Sequence, residues 1–205
     1  TSESIDCRFD EVAGLEHSTF DLSKFTVVGS PAITSDGIVY SPNTQWALNT
    51  NHIINGDNDW EVEFEFDVTD EMTASNSSSW FLNNTTGTDS QLQVQYYYDL
   101  ARLDVKIRVD NTDNSSVDTL DLTASDGNFT LLAGQHIKFI AGYDSANTNY
   151  YWKAYINDVL TYGKNEASQY KLIASISPLI FGNYSAGFMA NVFKGKEREI
   201  TVKGY

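Results

Sequence analysis

The sequence predicts an all-β chain folded as two stacked antiparallel sheets, a jelly-roll β-sandwich, and three features carry that expectation. The segment WEVEFEFDV alternates, so Trp60, Val62, Phe64, Phe66 and Val68 share one face while Glu61, Glu63, Glu65 and Asp67 share the other. The segment YYWKAYINDVL sets Asn157-Asp158 between two strand-like runs, a tight-hairpin signal. Elsewhere period-two runs recur between clusters of Gly, Asn and Asp, and no long stretch keeps a helical period.

Taken in order, short strands are expected at Phe25–Val28, Gly37–Tyr40 and Gln45–Asn49, followed by a turn-rich loop at Asn51–Asn58. After Trp60–Val68 come Trp80–Leu82, Gln91–Tyr98 and Arg102–Val109. In the second of these, Leu92, Val94, Tyr96 and Tyr98 oppose Gln91, Gln93, Gln95 and Tyr97. In the third, Leu103, Val105, Ile107 and Val109 oppose Arg102, Asp104, Lys106 and Arg108. One oily and one wet side per strand is the signature of sheets that stack through a single face. Asp110–Asn128 is a polar tract in which no strand is expected, and Asn76–Asp89 and Asp110–Ser116 read as polar loops rather than linkers. Strands resume at Ile137–Tyr143, Tyr150–Asn157, Val159–Tyr162 and Leu179–Phe181, and close around Ile200–Val202. No change of composition divides the chain, so residues 1–205 are expected to form one domain, with 1–19 as an N-terminal extension or first strand.

A net charge of -15 over 205 residues disfavours a phosphate backbone as partner, and no apolar run is long enough for a membrane-spanning helix. Neutral sugars, proteins and divalent cations suit such a surface better. Cys7 stands alone, so no disulfide within the chain is available to support the core. Sites of the form N-x-S/T at Asn76, Asn83, Asn84, Asn114, Asn128 and Asn183 are frequent in a chain this rich in Asn.

The order of these pieces resembles the concanavalin A-like, laminin G-like superfamily. The resemblance runs through ITSDGIVYSPNTQWALN, WEVEFEFDV, LLAGQHIKFIAGYD, the YYWKAYINDVL hairpin, LIFGNYSAGFMANVFKG and EREITVKGY. It implies the sandwich and selects no subfamily. The second turn residue is Asp158 where that superfamily often has Gly, a replacement that Asp tolerates because it visits positive φ more readily than most residues.

Sugar recognition needs an aromatic ring to stack on a pyranose and amide or carboxylate groups to bond hydroxyls. Trp80, Tyr97, Tyr151 and Tyr155, with Gln93 and Gln95, are the candidates, since the tyrosines fall out of phase with the expected core positions. Calcium is the cofactor the chain best suits: relatives hold it at a loop rim, and Asp57 and Asp59 offer carboxylates within Asn55–Asp59. Laminarinase-like enzymes of this fold carry acidic residues at alternate strand positions, which Glu61, Glu63 and Glu65 match in part. Glycosidic cleavage needs its carboxyls roughly 5–9.5 Å apart, whereas residues four apart on a straight strand lie roughly 13 Å apart. Cross-strand pairing with Arg102, Lys106 and Arg108 is the expected explanation of the glutamates. His17, His52 and His136 sit in no catalytic motif.

These readings favour a non-catalytic recognition module for a glycan or host-surface receptor, secreted or on a virion as in a phage attachment protein. The alternatives are a structural virion protein that self-associates or contacts neighbouring virion proteins, and a glycan-cleaving enzyme.

Overall fold

The computed structural model describes residues 5–8, 25–28, 32–34, 37–39, 47–50, 58–83, 91–110, 117–173, 179–182 and 193–203. Its strands in chain order are β1 (Ile5–Arg8), β2 (Phe25–Val28), β3 (Ala32–Thr34), β4 (Gly37–Val39), β5 (Ala47–Thr50), β6 (Trp60–Asp67), β7 (Ser78–Asn83) and β8 (Leu92–Tyr97). They continue with β9 (Arg102–Asp110), β10 (Val117–Asp121), β11 (His136–Asp144), β12 (Asn149–Ile156), β13 (Val159–Ala167), β14 (Ile180–Phe181) and β15 (Lys196–Lys203).

They form two antiparallel sheets. The first runs β13-β12-β11-β6-β15-β4-β3, with β1 also paired to β15. The second runs β10-β9-β8-β7-β14-β5-β2. The crossovers follow from burial: β6 sits inside the first sheet, between β11 and β15, where its apolar face meets the opposite layer. Among the described residues no helix is long and apolar enough to cross a membrane.

The inward faces match the alternation in the sequence. Phe64 shows how they lock together: 1% exposed, its ring lies 5.0 Å from Phe139 on its own sheet, and 5.8 and 5.9 Å from Phe81 and Phe181 of the facing sheet. Centroid spacings of this kind suit offset and edge-on ring contacts, which add to the energy of burial. Two polar atoms carried inward are bonded, the Trp152 indole donating to the Leu122 carbonyl at 2.8 Å and the Tyr96 hydroxyl accepting from the Leu131 N–H at 3.4 Å, and burial pushes the Tyr96 phenol up to about 12. At the β12–β13 turn both Asn157 and Asp158 adopt positive φ, 47° and 67°, as a two-residue primed turn requires.

Three expectations are corrected. The tract Asp110–Asn128 contains β10, an edge strand with only Leu120 buried. Strand β13 runs on to Ala167 rather than ending at Tyr162. Gln91, placed with the wet side of its strand, is buried, and its Nε2 donates to the Ile173 carbonyl at 2.7 Å. Of the N-x-S/T residues, Asn83 is fully buried in β7, out of reach of modification once the chain is folded.

Candidate functional site

Pairing in the second sheet aligns its outward side chains in rows. Trp80, Gln95 and Asp104 face one another across β7, β8 and β9; Tyr97 pairs with Arg102; and Gln93, Lys106 and Asp121 form the next row. Four sequence candidates, Trp80, Gln93, Gln95 and Tyr97, thus line one depression of about 110 Å³ with Asp104 and Lys106. A trench of about 600 Å³ adjoins it through those same two charged residues and reaches Asp121 and Asp126.

Gln95 lies at the centre of this surface and is only 6% exposed. The Tyr97 hydroxyl donates to its Oε1 at 2.8 Å, which orients the amide and leaves Nε2 as the donor. Among the described residues that Nε2 has no partner. Tyr97 itself presents no bare ring, because the Arg102 guanidinium lies 4.5 Å above its centroid. Arg102 Nε also sits 2.8 Å from Asp104 Oδ1, without the alignment of a hydrogen bond. Burial raises the Asp104 carboxyl, with Arg102 and Lys106 opposing it, and burial and the Asp104 charge raise the Tyr97 phenol. Arg102, Asp104 and Lys106 were not marked as ligand groups in the sequence. Their opposition to the Gln and Tyr row was visible there; their register against it was not.

The remaining candidates lie on the first sheet. Tyr151 and Asp59 line a cavity of about 1030 Å³ at the β12–β13 side, with Glu61, Asn149, Lys153 and Asn165 among the other wall residues. Tyr151 donates from its hydroxyl to Glu61 at 3.0 Å, and burial followed by the Glu61 charge raises its phenol strongly. Asp59 is exposed, and its carboxylate, lowered by the hydrogen bond from Ser145, accepts the Ser145 N–H at 2.7 Å. Asp57 lies outside the described residues, and among those described no group of three or more His, Cys, Asp or Glu is placed to hold a metal ion. Tyr155, in register with Lys138 and Leu160, lines neither surface.

The glutamates of β6 are paired, though not with the cations expected. Arg102, Lys106 and Arg108 belong to the other sheet; the partners come from β11, β12 and β15. Lys138 Nζ lies 2.6 Å from Glu63 and 3.8 Å from Glu65, and Lys203 lies 3.4 Å from Glu61. His136 bridges two carboxylates, with Nε2 3.1 Å from Glu65 and Nδ1 3.0 Å from Asp67, while Arg198 also bonds Asp67. Only an imidazolium donates from both nitrogens, and the hydrogen bonds to Asp67 and Glu65, opposed by burial, raise His136 to about 9. Burial works to raise Asp67, but the hydrogen bonds and charges of His136 and Arg198 prevail and lower it to about 2.

No family model matches the chain, and no curated protein does. Among solved structures, the full-length tailspike protein 2 of Escherichia coli O157:H7 bacteriophage CAB120 aligns with a TM-score of 0.60 at 13% identity, over 87% of this chain and 25% of the tailspike. The botulinum neurotoxin serotype D binding domain aligns with a TM-score of 0.55 at 13% identity, over 98% of this chain and 47% of that one. The chain therefore spans less than half the length of either protein. At these identities the likeness is one of fold.

Proposed function

We propose that this chain is a non-catalytic carbohydrate-recognition module that binds a neutral glycan on the outer face of its second sheet. The observation that carries the reading is Gln95: a nearly buried amide, oriented by Tyr97, with an N–H donor left for a ligand. That Nε2 donor stays open to solvent, so a sugar hydroxyl that accepts from it takes the place of water, a net gain of about 0.5–1.5 kcal/mol. Gln93 and Lys106 add polar groups beside it, and Trp80 supplies an aromatic edge. The mixed charges of Arg102, Asp104, Lys106 and Asp121 suit hydroxyls better than a strongly charged ligand.

Binding rather than cleavage is supported by the ion pairs of Glu61, Glu63 and Glu65, whose carboxylates are engaged by Lys203, Lys138 and His136. An attachment role, secreted or on a virion surface, belongs to the same proposal, as does the laminin G-like lineage of the hairpin. The likeness in fold to a tailspike and to a toxin's binding domain supports a module that works within a larger assembly. The test is an array of neutral and acidic glycans probed with the full chain, each hit followed by calorimetry on the wild type and on Trp80→Ala and Gln93→Ala. Selective binding weakened by both substitutions is expected. Silence across the array, or binding indifferent to both changes, would overturn the reading.

A further inference from the structure

We propose that the Tyr151 cavity of the first sheet is a second sugar-binding site, so that one chain holds two glycan chains on opposite faces. The ligand class rests on the function proposed above; the site itself rests on separate geometry.

The cavity is built around a fixed aromatic ring. Gly142, in register with Tyr151, leaves room for it: a Cβ there would stand 2.7 Å from the Tyr151 hydroxyl and 2.7 Å from the Trp60 carbonyl. The ring therefore lies across β11, and its hydroxyl is tied to Glu61, which Lys203 also approaches. On the other side Gly163 faces Lys153, so no side chain closes the wall there. Rings held this way lose little freedom when a pyranose stacks on them, which is the entropic advantage of a preorganised site.

The polar groups fit hydroxyls. The carboxylates are engaged: Glu61 by Tyr151 and Lys203, Asp144 by the Ala146 and Asn147 amides, Asp59 by Ser145. Lys153 has no carboxylate partner among the described residues, and its ammonium stands 5.3 Å over the Tyr151 ring, so a stacking pyranose displaces this flexible side chain, which then donates from the rim. Asn165 and Asn149, linked at 3.3 Å, add amide donors and acceptors. A cavity of about 1030 Å³ reaches the upper end of the usual size for small-ligand sites. The two surfaces lie on opposite outer faces of a two-sheet stack, too far apart for one short oligosaccharide to bridge.

The test is an amide-shift titration of the isotopically labelled full chain with neutral hexasaccharides of glucose, mannose and galactose at millimolar concentration. The Gly142 and Gly163 amides are expected to shift as one group and the Gln95 side-chain amide as another. Tyr151→Ala should remove the first set and spare the second, and Gln95→Met the reverse. Lys153→Ala, a surface change, should weaken the first set if Tyr151→Ala fails to fold. A multichain polysaccharide built from the bound sugar should turn turbid with wild type and stay clear with either single-site variant. Gln95 shifts with silent Gly142 and Gly163 would overturn the second site alone. Gly142 and Gly163 shifts with silent Gln95 would overturn the first site and the two-chain claim, and silence at both would overturn both.

Discussion

Removing the His136 imidazole should cost stability in a way that depends on pH, and the size of the effect follows from the clamp that holds it. Raising a histidine from 6.5 to about 9 corresponds to about 3 kcal/mol between its protonation states. The ring is 30% exposed, so solvent screening reduces the contribution to about 1–2 kcal/mol. The folded pKa lies above the unfolded one, so this stability is fully present below pH 6.5 and is lost as pH rises through about 9. Asp67 acts in the opposite direction: its pKa is depressed, so its contribution is present above 3.8 and disappears only as pH falls through about 2. Urea unfolding of wild type and His136→Gln, with the midpoint shift read at constant slope, should give a gap of about 1–2 kcal/mol near pH 6 that closes by about pH 9.5. A gap that stays the same across that range would refute the clamp, since it would show a packing loss rather than an imidazolium held by two carboxylates.

Phe64→Ala removes the ring that touches both layers and should cost about 3–5 kcal/mol in urea unfolding; a loss below about 1 kcal/mol would contradict the packing. Gly142→Ala pushes a Cβ to 2.7 Å from the Trp60 carbonyl and should destabilise by about 1–3 kcal/mol, with an unchanged melting temperature counting against the seat described for Tyr151. Excess EDTA should leave affinity for a glycan bound at the second-sheet surface unchanged, because neither Asp57 nor Asp59 is among the described residues that line it; a loss reversed by calcium would place the metal within that binding site.

The strands that a sequence reveals are those with one dry face. Strands β6, β8 and β9 were legible because every second residue is buried by the opposite sheet. Strand β10 was hidden because it is an edge with one inward residue, Leu120, so its pattern carries no alternation to detect. The far half of β13 was hidden likewise, since its side chains are mostly exposed and GKNE reads as a turn. The partners of the β6 glutamates were illegible for another reason. Sheet order brings Lys138 and Lys203 beside a strand far earlier in the chain, and alternation fixes which face a residue takes, never its neighbour across the gap. The candidate ligand residues show the same division: phase put Gln93, Gln95 and Tyr97 on one surface, whereas only the β7–β8 register adds Trp80 and only β9 supplies Arg102 and Asp104.

Recognition through Gln95 is tested most directly by Gln95→Met, which keeps the length of the side chain and removes its amide. Calorimetric titration with a glycan that binds the wild type should show affinity falling at least about tenfold, the worth of one buried hydrogen bond, with the unfolding midpoint nearly unchanged. An affinity within about twofold of wild type would place the binding elsewhere.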